Sequence, residues 1–426
     1  MVIMKTKAVR LYGENDLRLE EFELPAIKET EILAKIISDS ICMSSYKAAS
    51  QGPNHKRVPD NVAETPVIIG HEFCGEIVEV GSTWADQFAA GQKFSIQPAL
   101  VDENGPVGVL SAPGYSYPNI GGDAQYIIIP EEVMTNNCLL PFDGEAFYLG
   151  SLAEPQSCIV GGYHANYHTT PGSYIHKMGI TEGGSCAILA GVGPMGLGAI
   201  DYAIHADRKP GLVVVTDIDT ARLERAASIF TVEEAKANGV QLIYVNTAED
   251  GKGVDYLKSL TPKGAGFDDV FVYAPVKPVV EQGNAILGFD GCLNFFAGPT
   301  NPEFSAMFNF YNVHYAATHV VGTSGGNTDD MLESLKMMEA GRLNPSVMIT
   351  HVGGLDAVIE TTLNLPKIPG GKKLVYTGIS MPLVALNELK DTDCPVCKEL
   401  AIIVEKHNGL WSPEAEKYLL ANASAI

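Results

Sequence analysis

The chain has 426 residues, 46% of them hydrophobic and 19% charged, which is enough for two or three domains of ordinary globular composition. A net charge of −22, from 51 acidic against 29 basic residues, disfavours nucleic acid and anionic membranes as partners. No apolar stretch reaches the roughly 20 residues that span a bilayer, and MVIMKTKAVRLYG lacks an apolar core followed by a cleavage site, so neither anchor nor signal peptide is expected. Eight irregularly spaced cysteines suit a reducing cytoplasm better than a disulfide framework.

In chain order, the alternating runs at 7–12, 17–24 and 31–38 predict strands, as do 67–70, 75–81 and 126–130, the last stopped by Pro130. Many short strands between Gly/Pro turns predict a β-rich, barrel-like first domain. The pattern changes after Glu154-Pro155. Strands are predicted at 186–191, 211–217, 242–246, 269–274, 292–298 and 319–323, with helical stretches between them, including 195–206 and 220–229. Alternation of that length predicts a doubly wound parallel sheet. Beyond Gly325, a helix at 329–341 and segments at 348–354, 355–363 and 372–378 fit a return to the first domain, and the last 46 or so residues read as mostly helical.

Gly191, Gly193 and Gly196, with Pro194 and Met195 between them, follow a strand and open a helix. There a dinucleotide pyrophosphate can approach the backbone and face helix N–H groups. Asp217 ends the next strand, 21 positions after Gly196. A carboxylate there binds ribose hydroxyls and repels a 2′-phosphate, which favours NAD over NADP. Arg222, on the following helix, is a candidate for the adenine end.

Residues 70–81 read GHEFCGEIVEVG, so His71 and Glu72 stand side by side, with Cys42 upstream and Glu154 downstream. Thiolate, imidazole and carboxylate together suit zinc, and a catalytic zinc keeps one position open. One buried cysteine or histidine alone is ordinarily core. Their co-occurrence with a dinucleotide turn points to a Lewis acid serving hydride transfer to or from an alcohol.

On these motifs the chain resembles the zinc-dependent medium-chain dehydrogenases, in the branch of polyol, glucose and threonine dehydrogenases. GHE at 70–72, SICMSS at 40–45, GGDAQYIIIP at 121–130 and AEP at 153–155 carry the likeness, which covers roughly residues 5–380. The resemblance implies a GroES-like catalytic domain over 1–157, a Rossmann domain over 158–323, and a return with a helical extension over 324–426. It implies Cys42, His71 and Glu154 as zinc ligands, with Glu72 a fourth ligand or a neighbouring partner that exchanges with water. It also implies Ser44 as a hydroxyl proton relay, Lys47 at the outer relay position, and a homodimer or homotetramer built partly through the strand near 319–323. His351 matches a recurrent position of structural character, and Lys372 or Lys373 would contact cofactor or end a strand turn. Three departures stand out. Met43 replaces a glycine, Ser45 replaces an aspartate beside the ligands, and 91–125 holds no cysteine, so the family's structural zinc lobe is absent and one zinc per chain is expected.

Lys47, with His55, Lys56 and Arg57 on a nearby loop, suggests an anionic substrate such as a sugar phosphate. The C-terminal extension also resembles the L-sorbose-1-phosphate reductases, which interconvert a ketose 1-phosphate and a hexitol 6-phosphate. The rival readings are a simple alcohol, glucose or threonine dehydrogenase, and a non-catalytic nucleotide-binding protein on the same fold. Two further patterns read as structural: His164 and His168, spaced i, i+4 ahead of TTPG, and Cys394-Pro-Val-Cys397, which has no second cysteine pair and reads as two helix-start cysteines.

Overall fold

Alternating side chains build the first strands of the computed structural model, which describes residues 4–426: β1 (Met4–Gly13), β2 (Asp16–Leu24) and β3 (Ile32–Ile41). They are followed by β4 (Val67–Ile68), β5 (Phe73–Val80), β6 (Lys93–Ile96), β7 (Tyr126–Ile129) and β8 (Leu139–Pro141). β9 (Tyr167–Thr170) and β10 (Ser173–Met178) form a hairpin ahead of β11 (Ser185–Leu189), β12 (Leu212–Asp217), β13 (Gln241–Asn246), β14 (Phe267–Val272), β15 (Leu287–Phe295) and β16 (His319–Val321). The chain ends its strands with β17 (Ile349–Gly354), β18 (Lys372–Tyr376) and β19 (Val384–Ala385).

Two compact units result. The first takes the chain up to Glu154, Asn327–Gly341 and Ile349–Ile426; the second takes Pro155–Gly326 and Arg342–Met348. The first unit is β-rich. One sheet runs β2-β1-β4, and a larger one runs β19-β17-β18-β3-β5-β6-β8, with β7 also pairing β3. β3 is the spine of the larger sheet. Its first half pairs β7, its last half pairs β18, and β5 lies along its other edge. Ile32, Ala34 and Ile36 of β3 pack with Phe73, Ile77, Phe94 and Ile127 in the core. The second half of β3 breaks the rule that buried strands are apolar, since Ser38, Asp39 and Ser40 are all fully buried.

In the second unit the order β13-β12-β11-β14-β15-β16 is parallel throughout. In that sheet's own numbering this is 3-2-1-4-5-6, the doubly wound order that places a ligand crevice at the carboxyl ends of the central strands. The β9–β10 hairpin was not expected from the sequence. Pro171 and Gly172 make its turn, and Gly172 takes a positive φ of 81° that favours glycine. Its stacking fixes it, with the Tyr167 ring lying between His176 and His319 at 4.3 and 4.2 Å. The C-terminal extension forms helices Pro395–Lys406 and Pro413–Asn422, both within the first unit. Among the described residues no helix is long and apolar enough to cross a membrane.

Candidate metal centre and nucleotide turn

β3 delivers Cys42 to the start of a helix the sequence did not announce, Met43–Gln51, where Cys42 is the N-cap. The GHE segment enters from the other side because Gly70 adopts φ +91°, and a Cβ there would lie 2.1 Å from Asp39 Oδ2. Only glycine lets this backbone pass so close to a buried carboxylate. As a result Cys42, His71 and Glu72 each offer a ligand atom, all within 4.8 Å of one another, and this is the one such cluster of three or more among the described residues.

The histidine is held on both ring nitrogens. Ser45 Oγ lies 3.2 Å from Nδ1, while Ser44 Oγ and the Tyr115 hydroxyl lie 3.2 and 3.3 Å from Nε2. Ser45 therefore takes the place of the carboxylate expected beside the ligands, and leaves Nε2 on the side facing Glu72, 3.9 Å from its Oε1.

Glu72 is only 1% exposed, and both its oxygens are engaged. Lys372 Nζ donates to Oε1 at 2.5 Å, and Ser40 Oγ donates to Oε2 at 2.6 Å. Burial works against its charge, but Lys372 and then His71 hold the carboxyl below its ordinary range. Glu154, second residue of the helix Ala153–Ala165, stands outside the tight trio but within its electrostatic reach. Burial first, then the Glu72 charge, pushes its carboxyl up to about 7. Burial and the Glu72 charge also push the Cys42 thiol up. Sulfur, imidazole and carboxylate oxygen brought within 4.8 Å of one another are the ligand types that zinc takes. The donor set therefore fits a zinc ion.

The sequence missed several members of this site. Lys372 follows the Gly370-Gly371 bend, opens β18 and pairs with Glu72, a role the sequence did not suggest. Lys373 instead donates to the carbonyls of Pro369 and Gly371. Tyr115, buried in a Gly/Pro-rich stretch without periodicity, stacks on His55 at 5.9 Å and tilts against His71 at 4.9 Å. Asp39 accepts the Glu72 N–H at 3.1 Å. Its neighbour Asp123, pushed up to about 7 by burial, comes from the GGDAQY motif.

Lys47 lies one turn beyond Ser44 on the same helix, half-buried. The Arg57 guanidinium is 5.9 Å from the Tyr115 ring centre. Burial, then Arg57, Lys56 and Lys47 in turn, lower the His55 imidazole to about 4. The cations singled out in the sequence therefore share one neighbourhood with Tyr115, which touches His71.

In the second unit, Gly191, Gly193, Pro194, Met195 and Gly196 form the turn between β11 and the helix Pro194–His205. A Cβ at Gly196 would lie 2.3 Å from the Gly191 carbonyl oxygen, so strand and helix pack without room for a side chain. Gly193 differs, because a Cβ there would meet only Arg222 Nη2 at 3.7 Å. The protein itself leaves that space open, above a helix N-terminus with no side-chain cap. Arg222 reaches back to the Val192 carbonyl at 3.2 Å. Asp217 ends β12, and its Oδ1 accepts the Ile218 and Asp219 N–H groups.

The two structural patterns have their own partners. His164 is on a helix and His168 on β9, with His168 held between Asp269 Oδ1 at 3.1 Å and the Asp290 carbonyl at 3.0 Å. Cys394 caps the helix that Cys397 enters, and all eight cysteines are free.

Comparison with known proteins places these features in families. Residues 28–141 match the family described as Alcohol dehydrogenase GroES-like domain, and residues 194–340 match Zinc-binding dehydrogenase. The chain is 55% identical over 419 residues to a mannitol-1-phosphate 5-dehydrogenase of Aliivibrio fischeri, covering 98% of this chain and 97% of that one. It is 50% identical over 421 residues to an L-sorbose 1-phosphate reductase of Klebsiella pneumoniae, covering 99% and 98%. A zinc-binding dehydrogenase from Sinorhizobium meliloti, solved bound to NADP, shares the fold with a TM-score of 0.68 at 20% identity, covering 88% of this chain and 99% of that one.

Proposed function

The chain belongs to the zinc-binding alcohol dehydrogenases with a GroES-like domain, and from that premise we propose that it moves a hydride between NAD(H) and a phosphorylated polyol or ketose. The observation that carries the reading is the pairing of the Cys42–His71–Glu72 cluster with a group of cations around Tyr115. Two relatives covering almost the whole chain are named for sugar phosphates, which supports an L-sorbose 1-phosphate or hexitol 6-phosphate type of substrate.

Cys42 and His71, with Glu72 or Glu154, would hold one zinc. When bound, zinc polarises the reacting hydroxyl or carbonyl and eases loss of the hydroxyl proton. Ser44, in contact with His71 Nε2, would take that proton while giving up its own hydroxyl proton toward solvent along the half-buried helix that carries Lys47. Lys47 and Arg57 attract the substrate phosphate and set its orientation. The open space at Gly193 receives the pyrophosphate, and Asp217 takes the adenosine ribose, which selects NAD over NADP. Eight free thiols suit work in the reducing cytoplasm. The edge strand β16, with Val320 and nearby Tyr315 exposed, supports assembly into a homodimer or homotetramer.

The test is metal analysis of purified protein together with NADH oxidation against ketose 1-phosphates, free ketoses and simple ketones. Turnover restricted to unphosphorylated compounds overturns the phosphate assignment. Arg57→Ala separates the roles further: KM for the phosphorylated substrate rises about tenfold or more while kcat holds.

A further inference from the structure

The short helix Phe147–Ser151 begins badly by its own sequence. Its N-cap is Ala146, which has no side chain to receive the first N–H groups. The cap comes from far along the chain. Glu416, on the helix Pro413–Asn422, accepts the Phe147 N–H at 2.6 Å on Oε1 and the Tyr148 N–H at 2.9 Å on Oε2. The same Oε2 accepts the Tyr376 hydroxyl at 2.9 Å, and the Tyr376 oxygen accepts Trp411 Nε1 at 2.8 Å. Glu416 is 3% exposed, and Trp411 and Tyr376 are fully buried.

A buried carboxylate opposes folding unless its position is needed, and an apolar residue would pack a helix there at lower cost. What it touches gives the reason. The capped helix ends at Ser151, whose hydroxyl donates to the Ser38 carbonyl at 3.0 Å on β3, and the next helix carries Glu154 as its second residue. Tyr376 ends β18, the strand whose first residue, Lys372, neutralises Glu72. One carboxylate thus holds both pieces of backbone that present acidic and basic groups to the metal centre.

We infer that Glu416 is a positioning residue for the metal centre. It fixes the Phe147–Ser151 backbone that leads to Glu154 and, through Tyr376, the strand that presents Lys372. The inference rests on the proposed zinc reading and extends it to the C-terminal helices, which become a structural part of the site.

The test compares wild type with Glu416→Gln and Tyr376→Phe. The readouts are zinc affinity by chelator competition, the visible spectrum of the cobalt-substituted protein, and amide hydrogen exchange over residues 147–154. Glutamine keeps the shape but can receive only one N–H well. It is expected to weaken zinc about tenfold or more, shift the cobalt bands and strip protection from residues 147–154. Tyr376→Phe keeps the ring but removes the bond to Glu416 and the acceptor of Trp411 Nε1, and is expected to change the same readouts in the same direction by less. A lowered melting temperature with unchanged zinc affinity and cobalt spectrum would overturn the inference, leaving Glu416 a plain staple. Should Glu416→Gln fail to fold, Tyr376→Phe alone decides by the same readouts. Wild type that takes up no metal overturns the zinc reading itself, a result separable from failure of the variants.

Discussion

Removing Lys372 isolates a charge that has almost no water to turn to. Glu72 is 1% exposed and its Oε1 depends on the ammonium 2.5 Å away. Lys372→Met keeps most of the volume of the side chain but leaves the carboxylate with the Ser40 hydroxyl and the more distant His71 imidazole. Breaking a buried pair from one side costs about 3–5 kcal/mol. For a unit of this size that is a drop in melting temperature on the order of 10 °C. The assay is tryptophan fluorescence during thermal unfolding of chelator-treated protein. Both tryptophans, Trp84 and Trp411, lie in the first unit, so the signal reports that unit alone. Adding Glu72→Gln to Lys372→Met should restore most of the loss, because the orphaned charge goes with it. Zinc should raise the melting temperature of Lys372→Met more than that of wild type, since the metal becomes the countercharge. A single variant that melts within about 2 °C of wild type, or a double variant no better than the single, refutes the reasoning.

Asp217→Ala should raise KM for NADH about tenfold or more and move the NADPH/NADH preference toward NADPH, measured by initial rates with each cofactor. Ser45→Asp should tighten zinc about tenfold or more in chelator competition, because a carboxylate on Nδ1 makes His71 a stronger donor than a hydroxyl at 3.2 Å does. The His205 imidazole is raised above its ordinary 6.5, chiefly by its hydrogen bond to Asp201. Its stabilisation is therefore complete below pH 6.5 and is lost as pH rises through the higher folded value. Hydrogen exchange of the helix Pro194–His205 across that range should show the loss in wild type and not in His205→Ala.

The sheet of the second unit was legible as a doubly wound parallel sheet because each buried strand is a short apolar run and each connection carries a helical period, while its strand order came only from the structure. Gly191 and Asp217 announced themselves by spacing. Cys42, His71 and Glu72 could be named from residue chemistry, and the fold brings them together. Lys372 could not, because nothing in KKLVY tells which lysine points inward; that depends on the register of β18 against β3. Tyr115 and Glu416 stayed hidden for a similar reason. Each acts through a partner dozens or hundreds of residues away, and local periodicity carries no record of such contacts. The β9–β10 hairpin was missed although its Pro-Gly turn was visible, because one of its flanking strands, YHTT, is too short and polar to register.

Lys372 lies 300 residues beyond Glu72, and the whole contiguous body of the second unit is synthesised between them. At ribosomal speeds of about 5–20 residues per second, roughly 15–60 s separate the emergence of the acid from that of its base. Throughout that interval the nascent first unit holds a thiol, an imidazole and a carboxylate with no ammonium among them. A ribosome that stalls before residue 372 releases a chain whose parallel-sheet unit is nearly complete beside a half-built, over-acidic barrel. The order of the genetic message thus brings out every strand of the second unit's sheet before the base that completes the Glu72 ion pair.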